Sequence, residues 1–279
     1  MFKITKFQEQ INPTKQLWVD PIVKEQLDRV KYRVLKKDHD WVACIDGEEG
    51  CGKSVLGMQL CTYLDPNFTI NKIVFNAEQL IDIIKSPTTE KGSAILLDEA
   101  YSAINARAAM TEVNRSVIAV ATEMRQRNLF VIVVLPSYFD LDRTIAIHRT
   151  KALFHVYLDA EFNRGQYIIF PKDVKRELYH IGKKKYSYAY PYSPYPPCRF
   201  FNYYPVNEMV YREKKAEVFR KRTVNNRARE WYVQRNAYIK FILKSLSLTA
   251  DEIAKLPAQY GGKAISSRQI HQIVGELGN

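Results

Sequence analysis

The sequence predicts an α/β fold with a mainly parallel sheet. Three observations carry that prediction. From Trp41 onward, short apolar runs alternate with stretches of helical periodicity. LFVIVVL (129–135) is apolar without interruption, as a strand covered on both faces must be. A glycine-rich turn joins the first apolar run of this region to its first helix.

The elements follow in order. Residues 1–40 are a helical lead-in, with a helix over 19–37 that has Pro21 near its first turn. The core runs over 41–182. In it WVACID (41–46) reads as a buried strand, followed after the turn by a helix over 53–64. KIVFN (72–76) is a second strand, AEQLIDIIK (77–85) a second helix and AILLD (94–98) a third strand. Val117, Val120, Ala121 and Met124 recur at helical spacing and place a long helix over much of 106–127. LFVIVVL is the fourth strand. ALFHVYL (152–158) and QYIIF (166–170) are the fifth and sixth, paired as a hairpin around Asn163-Arg164-Gly165.

After Gly182 the composition changes. In 183–205 tyrosines and phenylalanines stand between Pro191, Pro194, Pro196, Pro197 and Pro205, behind a lysine triplet. The prolines remove donors and fix φ, so this is an extended segment, packed on the core or projecting from it. A long basic helical region over 206–246 completes the third part of the chain, 183–246. The last part, 247–279, holds two short helices over 248–256 and 265–277, joined through Gly261-Gly262.

Composition bounds the function. The 279 residues are 46% apolar and 12% aromatic, which excludes wholesale disorder. No apolar run reaches the roughly 20 residues that span a bilayer. With no apolar leader at the start, a cytoplasmic location is expected. Cys44, Cys51, Cys61 and Cys198 lack CxxC or CxxH pairing and read as reduced thiols. The net charge of +12 is uneven: residues 1–150 carry 19 Lys/Arg and 19 Asp/Glu, residues 151–279 carry 23 and 11. Such asymmetry points to a polyanionic partner for the second part, nucleic acid before an acidic membrane.

The strongest motif is Gly47-Glu48-Glu49-Gly50-Cys51-Gly52-Lys53-Ser54, a full match to G-x-x-x-x-G-K-[ST] between a predicted strand and a predicted helix. Glycines let successive N–H groups turn onto phosphate oxygens, and the helix N-terminus adds its positive end. Lys53 supplies a mobile cation for the β- and γ-phosphates, and the Ser54 hydroxyl a ligand for Mg²⁺. Gly47 through Val55 are therefore the expected nucleotide-binding residues of a P-loop nucleoside triphosphatase, with ATP and Mg²⁺ as ligands. In AILLDEA (94–100), Asp98 ends an apolar strand where a carboxylate can hold Mg²⁺, and Glu99 follows where a base can activate water.

Through these residues, 40–160 resembles the additional-strand, catalytic-glutamate branch of P-loop ATPases. In that branch a strand lies between the strands carrying the two motifs, and 72–76 is expected to be it. The resemblance implies a polar sensor of the γ-phosphate at the tip of the fourth strand, where Ser137 stands. An Asp-Glu pair at a strand end also separates the chain from small-molecule kinases. RQRNLFVIVVLPSYFDLDRTIAIHRTKALFHVYL (125–158) is further similar to FtsK/HerA-type DNA-pumping ATPases and their zonula-occludens-toxin-like phage relatives, without their usual sensor-region glutamine. That likeness implies homo-oligomeric rings in which an arginine reaches the neighbouring subunit's γ-phosphate. Arg143 and Arg149 are the candidates, with Arg107 and Arg127 behind them.

Two C-terminal features are candidates for DNA contact. Residues 183–222 carry ten Lys/Arg against three Glu with aromatic residues between them, suited to phosphates and unpaired bases or, equally, to covering a sheet edge or subunit surface. The closing helices, with Thr249 and Glu252 as a capping box, Ser266 or Ser267 as the second cap, and Arg268, Gln269, His271 and Gln272 on the second helix, look like a helix-turn-helix. The expectation is an ATP-hydrolysing DNA translocase or genome-packaging motor of a virus or mobile element, with DNA and a capsid or replication protein as partners. The alternatives are an ATP-dependent DNA loader or switch, and a morphogenesis or export ATPase acting on protein.

Overall fold

A strand that is apolar at every position needs cover on both faces, and the sheet provides it. In a computed structural model the described residues are 17–98 and 120–218, together with 118, 220, 236, 249, 251–254, 266, 268 and 270. The chain divides into two compact units, Met1–Lys215 and Ala216–Asn279.

The first unit is an α/β structure around a seven-stranded sheet in the order β2-β3-β4-β1-β5-β6-β7. The strands are β1 (Trp41–Gly47), β2 (Ile73–Val74), β3 (Ala94–Asp98), β4 (Phe130–Val134), β5 (Ala152–Tyr157), β6 (Gln166–Pro171) and β7 (Cys198–Arg199). β2, β3, β4, β1 and β5 are parallel, while β6 and β7 are added antiparallel. The helices are α1 (Pro21–Lys36), α2 (Lys53–Leu64), α3 (Ala77–Lys85), α4 (Ala121–Gln126), α5 (Lys172–Gly182) and α6, helical from 208 to the end of this unit at Lys215.

Alternation along the strands divides the core. Val42 and Cys44 of β1, Ile95 and Leu97 of β3, and Val131 and Val133 of β4 face one layer with Leu80 and Ile84 of α3, Met124 of α4 and Leu178 of α5. The residues between them face α2. There a Cβ on Gly57 would meet Leu96 Cδ1 at 2.7 Å and Ile45 Cδ1 at 3.3 Å, so a larger residue would have to displace those side-chain tips for the helix to lie this close to the sheet. Residues 55–64 are buried throughout, because α1 and the returning C-terminal chain cover the outer side of α2. Asp65 ties the end of α2 to the start of β3, accepting from Ala94 N at 2.9 Å and Lys72 Nζ at 2.7 Å.

The structure corrects several expectations. The strand expected over 72–76 is only Ile73–Val74, preceded by a 3-10 turn at Ile70–Lys72. Asn76 Oδ1 caps α3 by accepting from Gln79 N, and Gln79 Oε1 accepts from Phe75 N, so capping withdraws 75–76 from the sheet. β2 also lies at the sheet edge, and the strand between β1 and β3 is β4. α5 was not anticipated: Pro171 leads straight from β6 into it, and Lys175 occupies a core position that reads as polar. Of the long helix expected over 106–127, Ala121–Gln126 is described as α4 and the segment 101–117 lies outside the described residues. The 183–205 segment packs on the core, where Cys198–Arg199 pair with β6 and Ser193 Oγ donates to Ile169 O at 2.6 Å. In the second unit Thr249 and Glu252 form the expected capping box, with Thr249 N donating to Glu252 Oε2 at 2.7 Å. Gln269, His271 and Gln272 lie outside the described residues. Among the described residues no helix is long and apolar enough to cross a membrane.

Lys175 is fully buried, its ammonium donating to the carbonyls of Ala146 and Ile147 at the turn before β5. Burial pulls this lysine down to about 8 from an ordinary 10.5. Between those values the unfolded chain holds a proton that the folded chain has released, so stability due to this group rises with pH. Denaturant titration of wild type and Lys175→Met should show wild type gaining relative to the variant as pH rises from 7 to 9.5. A gap that does not change with pH would show that Lys175 does not titrate in this range.

Candidate functional site

The motif glycines form a tight loop at the carboxyl end of β1. Gly47, Gly50 and Gly52 have φ of 136°, 78° and 103°, a region that side chains resist. At Gly47 a Cβ would also lie 2.0 Å from Val156 O. Gly52 is the left-handed N-cap of α2, so the loop's amides run directly into the free N–H groups of that helix. Lys53 Nζ folds back to donate to Gly47 O at 2.6 Å and Glu48 O at 2.5 Å, and burial lowers its pKa. Cys51 is buried and its thiol is pushed up by burial, so it does not offer a thiolate.

The sheet register brings the other residues to this loop. Val134 of β4 pairs with Ile45 on one side and Asp98 on the other, which levels the tips of β1, β4 and β3. Ser54 Oγ donates to Asp98 Oδ1 at 2.9 Å across 44 positions of sequence. Beyond β4, Pro136 O accepts from Gly47 N at 3.3 Å, so Ser137 stands beside the start of the loop. Ser137 Oγ accepts from Phe139 N at 3.2 Å and lies 3.5 Å from Tyr188 Oη. Glu99 and Arg107 lie outside the described residues.

The arginines separate. Arg143 is exposed on the connection from β4 to β5. Arg149 forms an ion pair with the largely buried Asp40, just before the start of β1, at the end of the sheet opposite the loop. Arg127 donates to the carbonyls of Lys85, Ser86 and Thr89 and closes the end of α3. The structure therefore brings Lys53, Ser54, Asp98 and Ser137 together and leaves Arg149 and Arg127 away from them.

Residues that linear motifs did not point to complete the site. Asp98 is buried, and its Oδ2 accepts from Tyr211 Oη and, at 2.9 Å, from Lys215 Nζ, both on α6. Burial and then the charge of Asp98 push the Tyr211 phenol up, which keeps it a donor. The i,i+4 spacing of Tyr211 and Lys215 places both on one helix face, but no spacing rule relates 98 to 211. Asp46, fully buried one residue before Gly47, is satisfied in the same way. Its Oδ1 lies 2.9 Å from His155 Nδ1, and its Oδ2 accepts from Tyr138 N at 2.8 Å and from Tyr188 Oη. Tyr188 stacks on His155 with centroids 3.8 Å apart. Phe200 packs against the loop, its ring carbon 2.9 Å from where a Cβ on Gly52 would stand. Among the described residues no three His, Cys, Asp or Glu side chains are grouped to hold a metal ion.

No family model, curated protein or solved structure matches the chain.

Because Asp98 is buried, removing its cationic partner leaves a charge without its counter-ion. Lys215→Ala should destabilise the protein by about 3 kcal/mol and Tyr211→Phe by about 1 to 2 kcal/mol, read by urea titration. Combining Lys215→Ala with Asp98→Asn should recover part of the loss. Additive losses in the double variant would show that the two side chains do not interact.

Proposed function

We propose that the chain is a Mg²⁺-dependent ATPase of the additional-strand, catalytic-glutamate type that works on DNA as a translocase or genome-packaging motor. The observation that carries the reading is the Ser54–Asp98 pair, which sets the hydroxyl after the motif lysine 2.9 Å from the strand-end carboxylate. Strand order supports it as well, since β4 separates the strand leading into the glycine loop from the strand ending in Asp98.

The residues fit the groups they would bind. Three glycines with positive φ shape a loop whose N–H groups can turn inward onto phosphate oxygens, and Lys53 can exchange loop carbonyls for those oxygens. A hydroxyl and one carboxylate oxygen suit Mg²⁺, which takes few protein ligands and fills its shell from phosphates and water. Ser54 and Asp98 would hold the ion, which would neutralise charge on the phosphoryl group being transferred. Glu99, next to Asp98 in sequence, takes the role of base that orients and deprotonates the attacking water. Ser137 is the polar group beside the loop that would meet the γ-phosphate. For a ring assembly, Arg143 is the better arginine to reach a neighbouring subunit, since Arg149 is committed to Asp40.

DNA as the partner is supported by charge: residues 216–279 carry 11 Lys/Arg against 5 Asp/Glu. Many aromatics of 183–205 are engaged in the core, which leaves Tyr186, Tyr190, Tyr192 and Phe201 as the large exposed ones of that segment.

Lys53→Ala should abolish ATP binding or turnover. Glu99→Gln should bind ATP yet hydrolyse it at least about 100-fold more slowly, because the phosphate cradle remains while water activation is lost. Normal turnover by Glu99→Gln would remove that residue from the reaction. Steady-state hydrolysis should rise on adding duplex DNA, with Glu99→Gln as the blank. Rates indifferent to single-stranded and duplex DNA would exclude translocation and favour an ATPase acting on protein; slow turnover with filaments on DNA would favour a loader.

A further inference from the structure

The cations gathered at the loop end of the sheet differ in what they already hold. Lys53 donates to the loop carbonyls, Lys215 to Asp98, and Arg212 to Glu208 through Nε at 2.9 Å and a terminal nitrogen at 2.7 Å. Arg164, on the turn between β5 and β6, is exposed and has no carboxylate partner among the described residues. Its terminal nitrogen nevertheless lies 3.8 Å from where a Cβ on Gly50 would stand, directly against the glycine loop.

That placement is built into the fold. Asp159 Oδ1 accepts from Glu161 N at 2.9 Å and Asn163 N at 2.8 Å, which locks the turn that presents Arg164. Gly165 follows with φ of 114°, and a Cβ there would lie 2.7 Å from Phe200 O. Phe200 N donates to Gly165 O at 2.9 Å, while its ring packs on Gly52. Phe200 therefore acts as a spacer between the turn and the loop and sets the distance across which the guanidinium reaches. A planar, permanently charged fork beside a glycine-rich loop at a helix N-terminus is chemistry for a phosphate.

We propose that Arg164 is a second phosphate-binding cation of this site, acting within its own subunit from the β5–β6 turn on the phosphate chain of the nucleotide. The inference rests on the nucleotide reading above and adds a residue that neither the glycine motif nor the arginines past β4 include. Arg164 is a binding residue here, and its contribution grows with the number of phosphates.

Calorimetric titration of the full chain with MgATP, MgADP and AMP tests it, comparing wild type, Arg164→Ala and Arg164→Lys. Arg164→Ala should weaken MgATP roughly tenfold or more, MgADP less and AMP little. Arg164→Lys should recover part of the loss, and the difference from wild type should shrink as salt is raised. Wild-type affinity for MgATP in Arg164→Ala, or an equal loss for all three nucleotides, would overturn the assignment while leaving the nucleotide reading standing. No binding of any nucleotide by wild type would overturn that reading and the arginine with it.

Discussion

Burial of α2 on every side is the constraint on which the rest of the first unit depends. The helix starts at the glycine loop, lies against β1, β3 and β4 through Gly57, and is apolar or small almost throughout. A helix of that kind has no face for water, so chain from elsewhere must close over it. α1 does so through Lys31, which donates to Tyr63 O at 3.2 Å. The C-terminal chain does so where Gln59 Nε2 donates to Phe201 O at 2.6 Å and Tyr203 O at 2.9 Å. The first unit extends to Lys215 because the helix that carries Lys53 and Ser54 is not covered without that returning chain.

The same returning chain settles the two acids buried at the strand tips. Asp46 ends the apolar stretch of β1 and Asp98 ends β3, and both have almost no access to solvent. A buried carboxylate is tolerated when donors surround it. Tyr188 serves Asp46, while Tyr211 and Lys215 serve Asp98. The aromatic, basic composition after Gly182 thus has a structural use: its phenols and ammonium groups are donors that reach across the ends of the strands. Residues 216–279 carry 11 Lys/Arg against 5 Asp/Glu, the charge on which the proposal of a polyanionic partner rests.

Much of this was legible in the sequence. Unbroken apolar runs at 41–45, 94–97 and 129–135 marked the central strands because parallel strands buried on both faces leave no polar alternation. The glycine motif located the loop, and the predicted helix over 53–64 has the observed bounds. Asp98 stood out because strand tips are where parallel sheets gather side chains, whereas Ser137 was named only through the resemblance to P-loop ATPases. Less legible were the 172–182 helix, whose core face includes a lysine, and the two-residue β2, cut short by a side-chain cap. Arg149 looked equivalent to Arg143 in sequence, yet Asp40 holds it at the far end of the sheet.

The sequence by itself determined the layers of the fold, the position of the glycine loop and the residue types that line it, because periodicity and backbone freedom are local properties of a chain. Tertiary structure alone decided strand order, with β4 rather than β2 beside β1, since pairing is set by register and packing between segments tens of residues apart. It alone also decided which donors reach Asp46 and Asp98 and which arginine lies against Gly50. Those contacts join positions that no spacing rule connects, and they form only when distant segments of the chain are folded together.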